Sequence, residues 1–318
     1  MTPLDPPRPH AWPHLPFDAW KDTCETLHLW MQIVGKIRLA QSPWLNHSWH
    51  ATLYPTAMGL TTSVVPHGNE SFQIDFDFRE HVLEVRSASG RNARIRLEPQ
   101  SVAGFYARVM GEMAALGLPV RIHTRPNEVA NAIAFDDDHG LRAYDPEYVT
   151  RFWQALLQAH RVLTRFRTRF IGKCSPVHLF WGAPDLAVTR FSGRRAPEHP
   201  GGVPNLPDRV TREAYSHEVS SCGFWAGNGA MPYAAFYAYA YPEPPGFADA
   251  VVLPGRAFYS ADLREFILPY DAVRASESPD DTLLEFLQTT YEAAANLAGW
   301  DRTALERRDD WPSTGRSV

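Results

Sequence analysis

One order of sequence elements occurs twice along the 318 residues of this chain, and this repetition constrains the fold more than any other feature. Each copy begins with an amphipathic helical pattern that stops near a Ser-Pro pair, at 42–43 and at 175–176. Short strand patterns follow, and each copy closes with a capped helix and a glycine, Gly117 or Gly299. The repetition predicts an α+β fold that is internally duplicated, with two helix, antiparallel-sheet and helix halves forming one pseudo-symmetric body.

Hydrophobic periodicity predicts where the individual elements lie. Residues 72–78 alternate between large apolar and polar side chains, as in a strand with one buried face. Ser101 and Ser278 are expected to cap the two closing helices. The helices are predicted at 19–40, 101–116, 148–166 and 278–298, and the other strands at 47–54, 60–65, 81–86, 94–97, 177–181, 186–192, 234–241 and 265–268.

The composition limits the possible function classes. With 44% hydrophobic and 21% charged residues, the chain is expected to be a soluble globular protein. Its net charge of -5 leaves no broad basic surface, so nucleic acid is not an expected partner. The three cysteines are far apart, which favours a reducing, cytoplasmic location over a disulfide framework. No secretory signal and no long apolar run is recognisable, so no membrane partner is expected.

The chain divides into five predicted segments. A proline-rich arm occupies 1–18, a polar tail occupies 306–318, and the two α+β halves occupy 19–120 and 146–305. The connecting segment 121–145 contains the acidic run 136–138, which is interpreted as solvated linker rather than as a metal-binding loop. The second half has a long loop, 193–232, where the first half has only a short connection. Because long loops are usually functional or disordered, and this one contains aromatic residues, we expect the functional site beside it.

Several residues in and around the 193–232 loop suit ligand binding. Arg190, Arg194 and Arg195 offer guanidinium groups to a carboxylate or phosphate, and two adjacent glycines let backbone amides approach an anion. The same arginines suit ion pairs with acidic residues of the loop, and the sequence leaves both interpretations open. The alternating tyrosines of 237–241 suit either packing in a sheet or the aromatic walls of a pocket. The predicted ligand-binding residues are Arg190, Arg194, Arg195, His199, Gly201, Gly202, Tyr215, Tyr237 and Tyr239.

Proton transfer is predicted for His178, His217 and Glu218, because a histidine beside a carboxylate suits general acid or base catalysis. The same side chains would form a metal site if they met in the fold. Neither HExxH nor a paired-cysteine pattern is present, so the metal and the cofactor stay unknown. Cys174 lies four residues before His178, as a nucleophile before its base can, although such a cysteine is more often a buried apolar residue.

The first predicted helix has a polar stripe whose members are three or four residues apart. Such a stripe is typical of the solvated face of a surface helix, and a pocket wall is the alternative. The stripe consists of Glu25, His28, Gln32 and Lys36.

Four strings of this sequence are long enough to be specific for a family. They are WKDTCETLHLWMQIVGKIRLA, FIGKCSPVHLFWGAPDLAVTRFSGRRAPEHPGGVPNL, EAYSHEVSSCGFW and FYAYAYPEPPGF. They resemble a bacterial family described as domain of unknown function five-nine-nine-six, and the resemblance covers nearly all of the chain between Trp12 and Trp300. The resemblance implies no activity and no catalytic residue.

The leading hypothesis is an enzyme that acts on a small, anionic metabolite in a pocket between the 193–232 loop and the sheet. The alternative is a non-catalytic protein that binds a small molecule or a partner through its aromatic face and arginines. In a third hypothesis the loop is an oligomer interface. The sequence does not determine the reaction, the substrate, a bound metal, the oligomeric state, or whether the two halves share one sheet.

Overall fold

The computed structural model describes residues 12–307, and within this range helices are combined with antiparallel strands. This combination confirms the predicted α+β class. The helices are α1 (Phe17–Gln41), α2 (Val102–Ala115), α3 (Pro146–Thr168), α4 (Asp208–Ala214), α5 (Tyr270–Arg274), α6 (Pro279–Leu297) and α7 (Arg302–Leu305). The strands are β1 (Tyr54–Pro55), β2 (Gly59–Thr61), β3 (Val65–His67), β4 (Glu70–Asp77), β5 (Val82–Ser87), β6 (Asn92–Arg96), β7 (Gln100–Ser101), β8 (Leu141–Arg142), β9 (His178–Phe180), β10 (Asp185–Arg195), β11 (His217–Trp225), β12 (Ala235–Tyr241), β13 (Phe258–Ser260) and β14 (Glu265–Pro269).

The first half contains an antiparallel sheet in the order β1-β2-β4-β5-β6, with β3 also paired to β4. β4 has the predicted alternation, since Phe72, Ile74 and Phe76 are buried and the side chains between them are half-buried. The predicted cap of α2 is also present, because the Oγ of Ser101 accepts a hydrogen bond of 3.0 Å from the amide of Gly104. α1 and α2 pack against each other beside this sheet.

The second half contains a separate antiparallel sheet in the order β13-β14-β12-β11-β10-β9. α3 packs against β10 and β11, α6 packs against β11 and β12, and the two helices contact each other. Leu186, Val188 and Phe224 point toward these helices and are buried in the main core. The opposite face of the second sheet carries the side chains that form the candidate site.

The two sheets meet at one antiparallel bridge between Leu53 and Leu179. The amide of Leu53 donates to the carbonyl of Leu179 at 2.9 Å, and the amide of Leu179 donates to the carbonyl of Leu53 at 2.8 Å. The element order gives both halves a helix, sheet and helix plan. Their buried apolar residues form one continuous core. An origin by internal duplication stays a prediction.

The predicted loop 193–232 is wrong in extent, because about half of it is regular structure. β10 continues through Arg195, α4 occupies 208–214, and β11 forms a central strand of the second sheet. β11 has no alternating pattern because nearly all of its residues from Val219 to Phe224 are buried on both faces. The true insertion is the shorter stretch 196–216, which contains α4.

The strand predicted at 47–54 is also wrong in its first part. A 3-10 turn occupies Asn46–Ser48, and His47 has a left-handed φ of 56°. Tertiary contacts hold this conformation, since the Nδ1 of His47 donates to the carbonyl of Ala214 at 2.9 Å and its Nε2 accepts from the Nζ of Lys173 at 2.6 Å. Local sequence patterns do not report contacts of this kind.

The predicted N-terminal arm is partly described by the structure, and its described apolar residues pack on the core. Trp12 and Leu15 of the predicted arm are buried, and Trp12 packs against Phe236 and Tyr270. Residues 1–11 and most of the predicted tail lie outside the described residues. Ser278 stands before α6 but its side chain makes no capping hydrogen bond, which corrects the predicted cap. Between residues 12 and 307, no helix has the length and apolar character required to cross a membrane.

Candidate functional site

A cavity of about 370 Å³ lies on the face of the second sheet that points away from α3 and α6. Its floor is formed by β9, β10, β11 and β12, and its roof by the 203–215 part of the insertion. The turn at 44–51 of the first half and the connecting segment at 127–128 complete the walls. Cavities of this size fit small metabolites.

Strand alternation decides which side chains reach the cavity. On β10, Asp185, Ala187 and Thr189 line it, whereas Leu186 and Val188 point into the helical core. The alternation on β12 places the rings of 237 and 239 in the cavity wall by the same rule.

Tyr237 and Asp185 form the central polar contact of the cavity. The Tyr237 hydroxyl donates to Oδ2 of Asp185 across the intervening strand β11. This reach is possible because Gly223 stands between them, where any β-carbon would collide with the tyrosine ring and with the backbone of Leu186. Burial raises the pKa of Asp185 to about 7, and the nearby charge of Glu128 raises it further while the hydrogen bond from Tyr237 opposes the change.

His178 contributes a free ring nitrogen to the same cavity. Its side chain is 1% exposed, and Nδ1 donates to the carbonyl of Pro176 at 2.7 Å. Nε2 has no hydrogen-bond partner among residues 12–307. Burial lowers the pKa of His178 to about 4, so the ring is neutral at physiological pH and Nε2 is a hydrogen-bond acceptor. β9 and β10 pair Asp185 with Phe180 and Ala187 with His178, so His178 and Asp185 are diagonal neighbours, roughly 7–8 Å apart.

Four hydroxyl groups of the cavity are paired with each other. The hydroxyls of Tyr215 and Tyr239 share a hydrogen bond of 2.9 Å, and those of Thr189 and Ser221 share one of 2.8 Å. Burial raises the pKa of Tyr215 to about 12, so this tyrosine stays protonated at neutral pH. These pairs fix the positions of the rings and hydroxyls before a ligand arrives.

Glu128 extends over the cavity from the connecting segment, with a left-handed φ of 59°. Its carboxyl group covers Gly182, where a β-carbon would lie 2.7 Å from the carboxyl carbon, so a larger residue at this position would displace the Glu128 side chain. The amide of Glu128 donates to the carbonyl of Pro204 in the insertion at 2.8 Å. Burial raises the pKa of the Glu128 carboxyl.

Three of the four residues in the polar stripe of α1 hold the cavity wall in place, and only Glu25 is solvent-exposed as the pattern favoured. Gln32 is fully buried, and it donates to the carbonyl of Asn127 at 2.9 Å and accepts from its amide at 2.8 Å. The Nζ of Lys36 donates to the carbonyl of Arg125 at 2.9 Å, and burial lowers the pKa of Lys36 to about 8. His28 forms a hydrogen bond of 2.8 Å with the carbonyl of Gly182. The stripe is therefore the outer support of the cavity wall.

The connecting segment is likewise not the solvated linker that its acidic run suggested. Phe135 is fully buried, and Asp138 is buried and forms an ion pair of 2.5 Å with Arg142. The segment follows the surface of α1 and reaches the insertion, so its residues are fixed by contacts with both halves.

The predicted arginines do not meet at the cavity. Arg190 shares the strand face of Leu186 and Val188, so its guanidinium lies on the helical side, over the rings of Phe166 and Tyr291 at 3.5 Å and 4.2 Å. Arg194 forms an ion pair of 2.7 Å with Glu218 and also donates to the carbonyl of Ala298, as the alternative staple interpretation described. Arg195 is exposed at the end of β10, opposite His217.

The remaining predicted site residues fall into three groups. His178, Tyr215, Tyr237 and Tyr239 line the cavity. His217 lies beyond the end of the cavity, with its ring 6.4 Å from that of His47, and Glu218 is engaged by Arg194. The other predicted ligand-binding residues stabilise the insertion itself, since the amide of Gly201 donates to the Nδ1 of His199, the amide of Gly202 donates to Asp208, and the His199 ring stacks on Tyr215 at 4.7 Å.

Nucleophilic and metal chemistry are not supported at the predicted positions. Burial raises the pKa of Cys174, which disfavours the thiolate, and its backbone bridges Arg190 rather than a catalytic base. Within residues 12–307, no group of three or more His, Cys, Asp or Glu side chains has an arrangement that could hold a metal ion.

Asp185 and Glu128 are two acidic cavity residues that the sequence did not reveal. Asp185 stands at the end of the Gly182–Asp185 stretch, which resembles an ordinary turn, and Glu128 stands in a segment without periodicity. The available signal was the strand alternation, because Asp185 has the same parity as Thr189 and the opposite parity to Leu186.

Comparison with known proteins agrees with this single continuous body. The model of a family of unknown function, DUF5996, matches residues 12–307. The chain belongs to this family. No curated protein and no solved structure matches it. The DUF5996 match spans both sheets, the connecting segment and the insertion, so every wall of the cavity lies within the family region.

Proposed function

We propose that the protein is an enzyme that acts by proton transfer on a small molecule bound in this cavity. The observation that carries the proposal is Asp185, a carboxyl group inside an aromatic cavity with a pKa of about 7 and a hydrogen bond from Tyr237. A group with a pKa near the working pH is effective both as acid and as base. Titratable groups with such shifts, located in a cavity, are typical of functional sites.

His178 gives the second support for this proposal. Its neutral ring presents Nε2 as an acceptor with no partner among the described residues, whereas the hydroxyls of Tyr215, Tyr239, Thr189 and Ser221 are paired. A buried polar atom without a partner is costly, and a ligand donor would complete it. In this proposal Asp185 exchanges a proton with the ligand, Tyr237 orients the carboxyl group, and His178 orients the ligand.

A non-catalytic binding protein is the second candidate. The aromatic walls, including Phe180, Trp181 and Tyr239, are suited to hold a flat or apolar body without any reaction. The three free cysteines support the cytoplasmic location that we propose for either function.

One experiment separates these candidates. The purified protein is incubated with a small-molecule extract of cells, and the compounds that are consumed or retained are identified by mass spectrometry. Ala183→Trp fills the cavity from an exposed wall position, Asp185→Asn removes the acid and base, and Ala114→Trp is the control on an exposed face of α2. Consumption that both cavity variants abolish supports the enzyme. Retention without consumption supports the binding protein, and equal behaviour of wild type and Ala183→Trp overturns both.

A further inference from the structure

We infer that the cavity recognises a protonated organic amine on an apolar or aromatic body, because two carboxyl groups without an ion-pair partner among residues 12–307 and an unpartnered histidine nitrogen line its aromatic wall. This inference rests on the proposed small-molecule function and names the class of ligand. It differs from the anionic ligand that the sequence suggested, since the arginines behind that prediction lie elsewhere.

The first observation is a surplus of acidic groups. Glu128 and Asp185 line the cavity, from the connecting segment and from β10. Glu265 of β14 lies outside the lining but near enough for the charge of Asp185 to act on it, and none of the three carboxyl groups forms an ion pair with a residue of 12–307. The groups influence one another, because the charge of Glu128 raises the pKa of Asp185 and that of Asp185 raises the pKa of Glu265, in addition to the larger effect of burial. A bound cation would stabilise the charged form of all three.

The second observation is independent of the carboxyl groups and concerns hydrogen bonding. Nε2 of His178 is buried, unpartnered and able only to accept, because Nδ1 donates to Pro176. Two donors of the cavity wall are already used, since Trp181 Nε1 donates to the carbonyl of Ala51 at 2.6 Å and the Tyr237 hydroxyl donates to Asp185. A ligand at this end of the cavity must therefore supply donors, as an ammonium group does.

The third observation is the aromatic surroundings of these acceptors. Tyr237 and Tyr239 stack at 6.1 Å with an angle of 16° between their planes, and Phe180 and Trp181 line the adjoining wall. The faces of aromatic rings attract organic cations. A metal ion is not the favoured cation, because no three liganding side chains of residues 12–307 are grouped to hold one.

Three compounds with the same aromatic body test the inference: 2-phenylethylamine, 2-phenylethanol and phenylacetate. Their binding to the full chain is measured by isothermal titration calorimetry and by thermal shift. We expect the amine to bind at least about tenfold more tightly than the alcohol, and the carboxylate to bind most weakly. Asp185→Asn is expected to lower the amine affinity about tenfold and to leave the alcohol affinity unchanged.

Three variants control for folding and for location. Glu128→Gln changes a carboxyl group that lies outside both sheets, in the connecting segment, and it should weaken the amine selectively even if Asp185→Asn folds poorly. Ala183→Trp should abolish amine binding, and Ala114→Trp should not. If the alcohol or the carboxylate binds as tightly as the amine, if Ala183→Trp has no effect, or if none of the three compounds binds at millimolar concentration, the amine inference is wrong. The small-molecule extract then still decides separately whether the cavity is a functional site.

Discussion

The phenol ring of Tyr237 crosses β11 beside Gly223, so closely that a β-carbon on Gly223 would lie 2.6 Å from the tyrosine hydroxyl. The same β-carbon would also collide with the backbone carbonyl of Leu186, which cannot move without disturbing the sheet. The absence of a side chain at this one position lets Tyr237 reach Asp185 on the far strand. The geometry of the candidate site therefore depends on a residue that contributes no functional group.

Substitution of this glycine tests that dependence. Gly223→Ala should lower the free energy of unfolding by about 1–3 kcal/mol, as overpacked core positions do, and should weaken binding to the cavity. Urea unfolding measures the first effect and titration of a cavity ligand the second. Gly229→Ala is the matched control, since a β-carbon at that position has no atom within 4 Å, and its stability should be unchanged or slightly higher. Equal stability of the two variants would contradict the close contact.

Asp185 predicts a specific dependence of stability on pH. Its pKa of about 7 in the folded protein is far above the value of roughly 3.9 for an unfolded chain, so the folded state holds the extra proton between these values. Stability of the wild type should fall as pH rises from 4 to 7 relative to Asp185→Asn, by on the order of 2–4 kcal/mol in all. Chemical unfolding of both proteins at intervals of pH gives the difference. Parallel curves for the two proteins would show that Asp185 titrates normally.

Substitution of Arg190 and Arg194 tests whether these arginines stabilise the fold or bind an anionic ligand, as the sequence suggested. Arg190→Ala leaves a hole between aromatic rings and should cost about 3–5 kcal/mol of stability, whereas Arg190→Met fills the space and should cost much less. Arg194→Ala breaks an exposed ion pair and should cost no more than about 1 kcal/mol. None of the three should change ligand affinity at the cavity. Loss of ligand binding in folded Arg194→Ala would return support to the anionic ligand.

Substitution of Gln32 should lower the protection of nearby backbone amides against hydrogen exchange. Gln32→Leu removes the hydrogen bonds to the backbone of Asn127 while keeping an apolar volume at a buried position. Amide hydrogen exchange should accelerate at 125–129 and stay unchanged in β4 of the first sheet. Gln41→Leu, near the end of the same helix, is the comparison variant. Uniform acceleration across the chain would instead indicate global destabilisation.

The sequence predicted the parts of the fold that depend on local patterns. The alternation of 72–78 and the cap at Ser101 require only near neighbours, and both are present. β11 was missed because it is buried on both faces and its small and aromatic residues do not alternate. The polar stripe of α1 was misinterpreted because the segment that covers it comes from about ninety residues further along the chain.

The candidate site was predicted less well, for a similar reason. The tyrosines at 215, 237 and 239 and His178 were identified from residue type and do line the cavity. Asp185 is positioned by a hydrogen bond from Tyr237, which lies two strands away, and the Glu128 carboxyl group packs over Gly182 of a distant segment. Neither contact is visible in a single stretch of sequence. The position of Arg190 was accessible in principle, because its strand parity matches that of buried Leu186 and Val188.

The connecting segment and the insertion are joined at the mouth of the cavity by three hydrogen bonds. The backbone amide of Glu128 donates to the carbonyl of Pro204. The side chain of Asn127 donates to the carbonyl of Asn205, and the side chain of Asn205 donates to the carbonyl of Val129 at 2.6 Å. None of these bonds uses a carboxyl group or ring nitrogen that would recognise a ligand inside, since Glu128 contributes only its backbone amide. The rate at which molecules enter and leave can therefore be tuned by these asparagines while the equilibrium affinity is set by Asp185 and His178, so residence time and selectivity can change independently of each other.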